Sequence, residues 1–493
     1  MGADVAGGDP GLLRQLVDGV LGVAGGGTDG GERGHRPEML HGTMAHRAHD
    51  PLAALAELRS AAVSPPVPAP NPVRPAAVSE TEVRSYRALL EVEGFARLVA
   101  ASTLGEIGSQ MTAVVLVLFV LERFASPQLA GFTLLLNIGP GLVISPLAGA
   151  LLDRSGRLRL IAADYAVAAT SMTLIGALAL LDRLTPASLL GIAAISSLSN
   201  PLSRAGTRSL FPLLIPRHLW DRANAVDSGR FVISTIIGPA LGGSLVAAVG
   251  GSIAVAATGG VFLAGAAALL GMKEPAPGKP RAGLLRDSLG GLLYVCRNRS
   301  LRGLAVTLSV FNLGFGVFTI TLPVLVLHRL HQGPGAVGAL WAAMGIAGIV
   351  AGAFAGRVDT EGRERQLMAA GSAGTVVALC LVALSSSLAP VVLAMVLVGT
   401  GMVLLGVANG PYDISLFSLR QRRTAPAWMG RAFAVSMSLN FAGYPLGAAL
   451  GGPIVARSLD VALVVAALTI AVATALPLTM IPAQPEPEPE ASG

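Results

Sequence analysis

Twelve apolar runs of about 20 residues follow one another along this chain between Leu98 and Met480. As a helix, each run is long enough to cross a hydrocarbon layer about 30 Å thick. Of the 35 basic and 29 acidic residues, only six lie inside these runs, which excludes a soluble globular protein. The sequence therefore predicts an all-α membrane protein with twelve transmembrane helices. The predicted spans are 98–121, 128–152, 160–181, 185–203, 228–249, 251–271, 302–327, 335–356, 366–387, 389–410, 431–456 and 459–481.

The basic residues are concentrated on one side of the predicted membrane. If the N-terminus is cytosolic, 22 Lys and Arg residues lie in cytosolic loops and helix ends, and four lie in the opposite loops. This asymmetry follows the positive-inside rule and predicts a multi-pass protein of the cell (plasma) membrane with both termini in the cytosol. It also accounts for the net charge of +6 without a nucleic-acid partner.

An internal repeat divides the chain into two pseudo-symmetric halves. The pattern D-x-x-G-R occurs at 153–157 and again at 359–363, and a glycine- and proline-containing segment at 238–242 is matched by 443–447. Parallel six-helix halves of this kind are typical of one class of transporters. The predicted organisation is a disordered cytosolic tail at 1–92, a six-helix half at 93–272, a cytosolic loop at 273–301, a second six-helix half at 302–482 and a disordered tail at 483–493.

The sequence contains no pattern that indicates a cofactor, a metal or catalysis. It has no phosphate-binding G-x-x-x-x-G-K-[ST] motif, and the four histidines between His35 and His49 lack the spacing of a metal site. No nucleophile, base and orienting group converge at a plausible spacing. We therefore expect neither an enzyme nor an ATP-driven pump. Cys296 and Cys380 lie at different levels of the predicted topology and are expected to be free thiols.

The loop after the second predicted helix carries the most specific motif. The segment GALLDRSGRLR at 149–159 is similar to the signature found at this place in the major facilitator superfamily. Glycines let helices and a tight turn approach closely, and an acidic residue at a helix end can meet a neighbouring helix N-terminus or an arginine. Alternatively, the basic residues of the segment only fix the topology. The resemblance implies the major facilitator fold and a gating role for Gly149, Asp153, Arg154, Gly156 and Arg157.

A second motif lies in the fifth predicted helix. The segment GPALGG at 238–243 resembles the antiporter motif of the same superfamily, which is associated with exporters, although Ser234 stands where that motif has a further glycine. Proline removes a backbone donor and small residues permit close helix contact, so a bend on which the two halves rock is expected here. Generic small-residue packing is the alternative. The residues concerned are Gly238, Pro239, Gly242 and Gly243.

A narrower resemblance lies between the fourth and fifth predicted helices. The segment LFPLLIP at 210–216, followed by RANA at 222–225, is similar to bacterial drug and siderophore efflux proteins of the enterobactin-exporter type. The segment RNRSLR at 297–302 agrees with this resemblance, which covers about 95–480. It implies that a small organic molecule leaves the cell.

Glu106 is the one charged residue predicted to lie near the middle of the membrane. A charge at this depth costs about 2.5–3.5 kcal/mol or more, so such residues usually face the bundle interior and often mark proton paths. Loss of water favours the protonated form, which makes Glu106 the candidate for proton coupling. A contact with cationic cargo and a structural hydrogen bond are the alternatives. Asp164 and Asp227 lie nearer the cytosolic helix ends and are expected to pair with Arg204 or Arg208.

Polar residues of the first, fourth, seventh and tenth predicted helices are candidates for lining a central cavity, because these helices usually face the cavity in the superfamily. Interhelical hydrogen bonding is the alternative role for each of them. The helices carry few charges, which favours an amphipathic cargo over a highly charged one. The candidates are Gln110, Ser196, Asn200, Asn312, Asn409, Tyr412 and Asp413.

These observations predict a monomeric secondary transporter that works by alternating access. Its expected partners are a small amphipathic organic molecule, protons and the lipid bilayer, and the expected direction is proton-coupled efflux. Two alternatives are a symporter or facilitator that takes solute up, and a transport-inactive membrane receptor or assembly protein.

Overall fold

A computed structural model describes residues 86–273, 284–357, 359–388, 390–425 and 429–484. Side chains at 146, 149–150, 153–154, 284–289, 429–434 and 437 lie outside the description. Within these ranges the chain is helical and contains no β-strand. Residues 1–85 of the predicted tail at 1–92, with its histidines, lie outside the described residues, whereas Tyr86–Glu91 of the same segment form a helix.

Fourteen α-helices make up the described chain. In order they are α1 (Tyr86–Glu91), α2 (Phe95–Phe124), α3 (Pro127–Ser155), α4 (Arg157–Leu180), α5 (Pro186–Leu214), α6 (Trp220–Val249), α7 (Gly251–Leu269), α8 (Leu284–Arg297), α9 (Arg299–Val324), α10 (Pro334–Ala355), α11 (Glu364–Ser385), α12 (Val391–Arg422), α13 (Met429–Arg457) and α14 (Leu459–Met480). A 3₁₀ turn at Arg217–Leu219 precedes α6, and a π turn at Leu325–Arg329 follows α9. Twelve of the helices are long, and ten of these are long and apolar enough to cross a membrane. The predicted all-α membrane architecture is confirmed.

Several long helices begin with hydrogen-bonding side chains followed by proline. Ser126 and Thr185 accept hydrogen bonds from the backbone N–H groups three residues further on, and Pro127 and Pro186 come directly after them. A helix leaves its first N–H groups without partners, so such side chains stabilise the start of α3 and α5. Ser458 caps α14 in the same way.

Three helices extend beyond their predicted spans on the side where the basic residues lie. Helix α5 continues to Leu214, α6 begins at Trp220, and α12 continues to Arg422. Hydropathy marks only the part of a helix that lies in the apolar layer of the membrane, whereas the helix itself can continue beyond that layer into polar surroundings. Arg204 and Asp413 consequently lie within helices.

The same packing pattern occurs in both halves. Helix α2 packs on α6 and α7, α3 on α5, and α4 on α5 and α7. In the second half, α9 packs on α13 and α14, α10 on α12, and α11 on α12 and α14. Corresponding helices therefore make corresponding contacts, which confirms the two pseudo-symmetric six-helix halves.

The two halves meet through α3 with α13 and through α6 with α10. We call the side where α2 begins and α3 ends the basic face, and the other side the opposite face. Gly131 lies against the backbone of Ala448, and a Cβ at Gly452 would lie 2.5 Å from the carbonyl oxygen of Pro127. All four residues lie towards the opposite-face ends of their helices. The halves are thus in backbone contact at the opposite face.

Two short helices lie at the basic face. Leu89 of α1 is 1% exposed and belongs to an apolar cluster with Phe95, Phe211, Ile215 and Leu219. This cluster fixes α1 to the connection between α5 and α6. Helix α8 contacts α13 and α9 of the second half and α3 of the first.

Candidate functional site

Glu106 lies in the middle of α2 and is half-buried. Its Oε1 atom accepts a hydrogen bond of 3.0 Å from Nε2 of Gln110, one helical turn further on. The amide therefore orients the carboxyl and satisfies one of its oxygens. The predicted coupling residue and the first predicted cavity residue thus form one unit.

Gly238 of α6 packs directly against Gln110. A Cβ at Gly238 would overlap the Cβ of Gln110 and would lie 3.2 Å from the carbonyl oxygen of Ile107. One turn further along, a Cβ at Gly242 would lie 3.0 Å from Cγ2 of Val115. The motif at 238–243 consequently contacts the segment of α2 that carries Glu106, a contact that neither motif alone predicts.

The same motif also contacts the second half of the molecule. A Cβ at Gly243 would lie 2.6 Å from Cα of Gly338 in α10, and one at Gly338 would lie 2.8 Å from the carbonyl oxygen of Pro239. Helix α6 therefore touches α2 on one side and α10 on another at successive glycines. Helix α6 thus connects the Glu106–Gln110 pair of the first half to α10 of the second half.

An ion pair lies between Glu106 and the basic face. Arg230 of α6 forms a 2.5 Å ion pair with Asp227, and its Nη1 donates a 3.1 Å hydrogen bond to the carbonyl oxygen of Ser102 in α2. Both charged side chains are mostly buried, with 11% and 24% exposed. The expectation that Asp227 pairs with Arg204 or Arg208 is wrong, because a partner three residues away on the same helix is within reach.

Asp164 and Tyr165 of α4 are buried beside this ion pair. Asp164 is 2% exposed, and Ser199, Ser203 and Arg204 of α5 surround its carboxyl. No ion pair to Asp164 is present among the described residues. Sequence reasoning missed Tyr165, because an aromatic residue in an apolar helix carries no signal of its own.

Of the two predicted cavity residues of α5, Asn200 forms a hydrogen bond to α3 and Ser196 is buried. Asn200 donates a 3.3 Å hydrogen bond from Nδ2 to the carbonyl oxygen of Asn137, and Ser196 is 4% exposed. One turn away on α3, the backbone N–H of Gly141 donates a 2.9 Å hydrogen bond to the hydroxyl of Ser197 in α5. These polar groups hold α5 on α3, which is the interhelical role left open by the sequence.

In the second half, Asn312 of α9 donates a 2.9 Å hydrogen bond from Nδ2 to the carbonyl oxygen of Asn440 in α13. Tyr412 of α12 is 3% exposed, and its ring stacks on that of Phe311 with a centroid separation of 4.9 Å. Both residues join helices within the half. The amide of Asn312 and the ring of Tyr412 are thus in contact with the protein, whereas the Tyr412 hydroxyl has no hydrogen-bond partner among the described residues.

Asn409 and Asp413 lie one turn apart on α12 and therefore share a face of that helix. Asn409 is half-buried and Asp413 is exposed. An acidic side chain this far from the helix end faces either water or other polar groups, because lipid contact is too costly. That these two residues line a cavity which a ligand can reach stays a prediction.

The gating motif is described in part. Gly156, with a φ of +89°, separates α3 from α4, and Nε of Arg157 donates a 3.1 Å hydrogen bond to Oγ of Ser209. Gly362, the matching glycine of the second half, has a φ of +70°. Both positions require the left-handed backbone that glycine permits. The remaining residues of the motif, Gly149, Asp153 and Arg154, lie in α3, and their side chains are outside the described residues.

The sequence did not predict an ion pair between a buried glutamate and an exposed arginine of the second half. Glu364, the first residue of α11, is 5% exposed and pairs at 2.5 Å with Arg422 at the end of α12. Its sequence signal was weak, because the predicted tenth span ended twelve residues before Arg422. The pair joins two helices at the basic face.

Among the described residues, no three His, Cys, Asp or Glu side chains are grouped to hold a metal ion. Cys296 and Cys380 are free thiols, as predicted.

Residues 98–448 match the sequence profile of the Major Facilitator Superfamily. A protein of Sinorhizobium fredii named "Uncharacterized MFS-type transporter y4rN" is 38% identical over 389 residues, which are 78% of this chain and 94% of that protein. Proteins named "Multidrug efflux pump Tap" from Mycolicibacterium fortuitum and Mycobacterium tuberculosis are 27% and 28% identical, over 72% and 76% of this chain and 88% and 89% of theirs.

Two solved structures have the same fold. A mutant of the nucleoside transporter NupG superposes with a TM-score of 0.62 at 12% identity, covering 78% of this chain and 99% of that one. A bacterial homologue of the iron transporter ferroportin, in an inward-facing state, also gives 0.62, at 15% identity over 80% of this chain and 99% of that one.

Proposed function

Because this chain belongs to the Major Facilitator Superfamily, we propose that it exports a small amphipathic organic molecule in exchange for protons. It is a multi-pass membrane protein, and in this proposal it lies in the cell membrane as a monomer with both termini and the basic face in the cytosol. The two six-helix halves alternately open the central cavity to either side.

The contact of Gly238 with Gln110 carries this proposal. Gln110 holds the carboxyl of Glu106, and Gly238 begins the glycine motif that reaches α10 at Gly338. When Glu106 gains a proton, one of its oxygens becomes a donor and its hydrogen bond with Gln110 is rearranged. The backbone of α6 has no free space at this contact, so the rearrangement is transmitted to the interface between the halves.

The contacts between the halves support a state that is open to the cytosol. Gly131 and Gly452 bring α3 and α13 together at the opposite face, and Gly243 and Gly338 do the same for α6 and α10. In the proposed orientation, cargo enters from the cytosol and meets Asn409 and Asp413. Protons reach Glu106 when the halves open outwards.

The direction of transport is supported by two likenesses. The motif at 238–243 resembles that of antiporters, and two mycobacterial relatives are named multidrug efflux pumps. We therefore propose efflux, with a drug-like or siderophore-like molecule as cargo. The few charges of the helices support an amphipathic molecule.

Everted membrane vesicles test coupling and direction together. Vesicles that contain the protein are acidified inside, and ethidium, tetracycline and Nile red are offered outside as probes of different charge. We expect uptake of at least one probe and an accompanying rise in internal pH. Glu106→Gln should abolish both signals, whereas the matched control Glu93→Gln, which changes an exposed glutamate just before α2, should preserve them.

Each alternative predicts a different result. Uptake symport predicts that preloaded probe leaves the everted vesicles, and a facilitator predicts flux that ignores the pH gradient. A receptor whose tail binds a partner predicts that deletion of residues 1–85 abolishes function, whereas the exporter predicts unchanged flux.

A further inference from the structure

The exchange proposed above does not use Asp164, although this residue is the most deeply buried acid among the described residues. It is 2% exposed, and its Oδ1 atom has no hydrogen-bond partner within the described chain. An ionised carboxylate removed from water needs donors for both oxygens, and an oxygen without a donor makes the charged form costly. A proton on the carboxyl removes that cost.

The groups that face Asp164 can accept a hydrogen bond from its carboxyl when that carboxyl carries a proton. Ser199 and Ser203 of α5 place their hydroxyls beside it, and a hydroxyl can accept a hydrogen bond as well as donate one. Arg204 is the nearest cation, yet its side chain is exposed and forms no ion pair with Asp164. Helix α7, which also packs on α4, contains no titratable residue. Among the residues whose side chains are described, no contact ion pair therefore holds Asp164 in its charged form.

Tyr165 connects Asp164 to the Glu106 segment. Its ring lies directly on Gly105, where a Cβ would overlap the ring, and the side chain is 4% exposed. Gly105 directly precedes Glu106 in α2, and Arg230 of α6 donates a hydrogen bond to the same helix one turn earlier. Asp164 adjoins Tyr165 in α4, so groups of α2, α4 and α6 meet at this segment of α2.

We propose that Asp164 is a second proton-binding carboxyl of this protein and that Tyr165 couples it to Glu106. Proton binding converts the carboxylate to a carboxylic acid that donates to a serine hydroxyl of α5, and release returns the proton to water. The ionised form is attracted towards Arg204 at the exposed side of α5. The use of this second proton in transport rests on the proposed function, whereas its presence on Asp164 does not.

Infrared difference spectroscopy of the purified protein in lipid vesicles tests the proposal without any cargo. The carbonyl stretch of protonated carboxyls is recorded as the pH is changed from acid to alkaline. We expect the wild-type spectrum to contain a band that is completely absent from Asp164→Asn. The control Asp182→Asn removes an exposed acid paired with Arg123 at the opposite face and should leave that band unchanged.

The coupling through Tyr165 is tested in the same spectra. Glu106→Gln should shift the pH at which the Asp164 band titrates, and the shift should disappear when Tyr165→Phe is added. A shift of equal size with and without the tyrosine hydroxyl overturns the coupling. If Asp164→Asn does not fold, Asp164→Glu keeps the carboxyl and should move the band in frequency, and a wild-type band that does not respond to either substitution overturns the proposal.

The inference and the proposed function can fail separately. If vesicle transport ignores the pH gradient while the Asp164 band is present, the proton-coupled exchange is wrong and the proton site stands. If transport is coupled and no band depends on Asp164, the proton site is wrong and the exchange stands.

Discussion

At the scale of single residues, Gly238 and Gln110 share a space that only one side chain can fill. The side chain of Gln110 lies where a Cβ at position 238 would be. Since Gln110 also holds Glu106, a change at Gly238 affects the carboxyl through a single intervening residue.

Gly238→Val should therefore destabilise the protein and impair transport. Overpacking of a close contact costs about 1–3 kcal/mol, and here the strain is relieved by displacing Gln110. Thermal unfolding in detergent and proton-coupled flux measure the two effects. Gly260→Val is the matched control, because no atom lies within 4 Å of a Cβ at that position, and an equal loss in both variants would contradict the prediction.

A comparison of Asn312 with Asn409 distinguishes a structural role from a contact with cargo. Its amide already donates to the carbonyl oxygen of Asn440, so Asn312→Ala should lower the stability by about 0.5–1.5 kcal/mol and leave the KM of a transported probe unchanged. Asn409→Ala, at a half-buried residue beside Asp413, should instead raise the KM. A KM that rises only in Asn312→Ala would reverse the two assignments.

The sequence predicted Glu106 because a charge inside an apolar run is visible without any structure. The contact of Gly238 with Gln110 could not be predicted, because it depends on the rotation of two helices separated by more than a hundred residues. Tyr165 was missed for a related reason, since its importance comes from the groups of α2 and α6 that surround it.

At the scale of helices, the ion pair of Arg230 fixes α6 to α2. The guanidinium binds Asp227 on its own helix and the carbonyl oxygen of Ser102 on the other. Loss of one member of a buried pair leaves the other charge without compensation.

Arg230→Ala should consequently destabilise the protein by about 3 kcal/mol. The combination of Arg230→Met with Asp227→Asn removes both charges and should recover part of this loss. Chemical denaturation of the two proteins measures the difference. A double variant that is less stable than Arg230→Ala would show that the uncompensated charge of Asp227 is not what destabilises the single variant.

The number and order of the twelve long helices followed from hydropathy, but their lengths and the two short helices α1 and α8 did not. Helix α12 continues twelve residues past its predicted end because a helix can continue into water or into a polar cavity without an apolar surface. The Glu364–Arg422 ion pair became visible only with that extension.

At the scale of the whole molecule, close backbone contacts hold the two halves together at the opposite face. Gly131→Phe should separate them there, because the ring cannot fit against the backbone of Ala448. Both native cysteines are changed to serine, and spin labels are attached at Arg183→Cys and Arg457→Cys. Double electron–electron resonance then measures the distance between the two labels, one on each half. We expect a longer distance than in the labelled parent.

The control for this experiment is Gly191→Phe, since no atom lies within 4 Å of a Cβ at Gly191. Its label distance should equal that of the parent. If Gly131→Phe also leaves the distance unchanged, the glycine contact does not determine the separation of the halves.

The opposite-face contact of the halves is made of main-chain atoms and glycines at Gly131, Gly243, Gly338 and Gly452. Asn409 and Asp413, the cargo contacts that we propose, lie on α12 and take no part in it. Substitutions at the proposed cargo site can therefore accumulate during evolution while the barrier stays intact. Proteins with this arrangement can evolve to transport a new cargo while the contacts that close the opposite face stay the same.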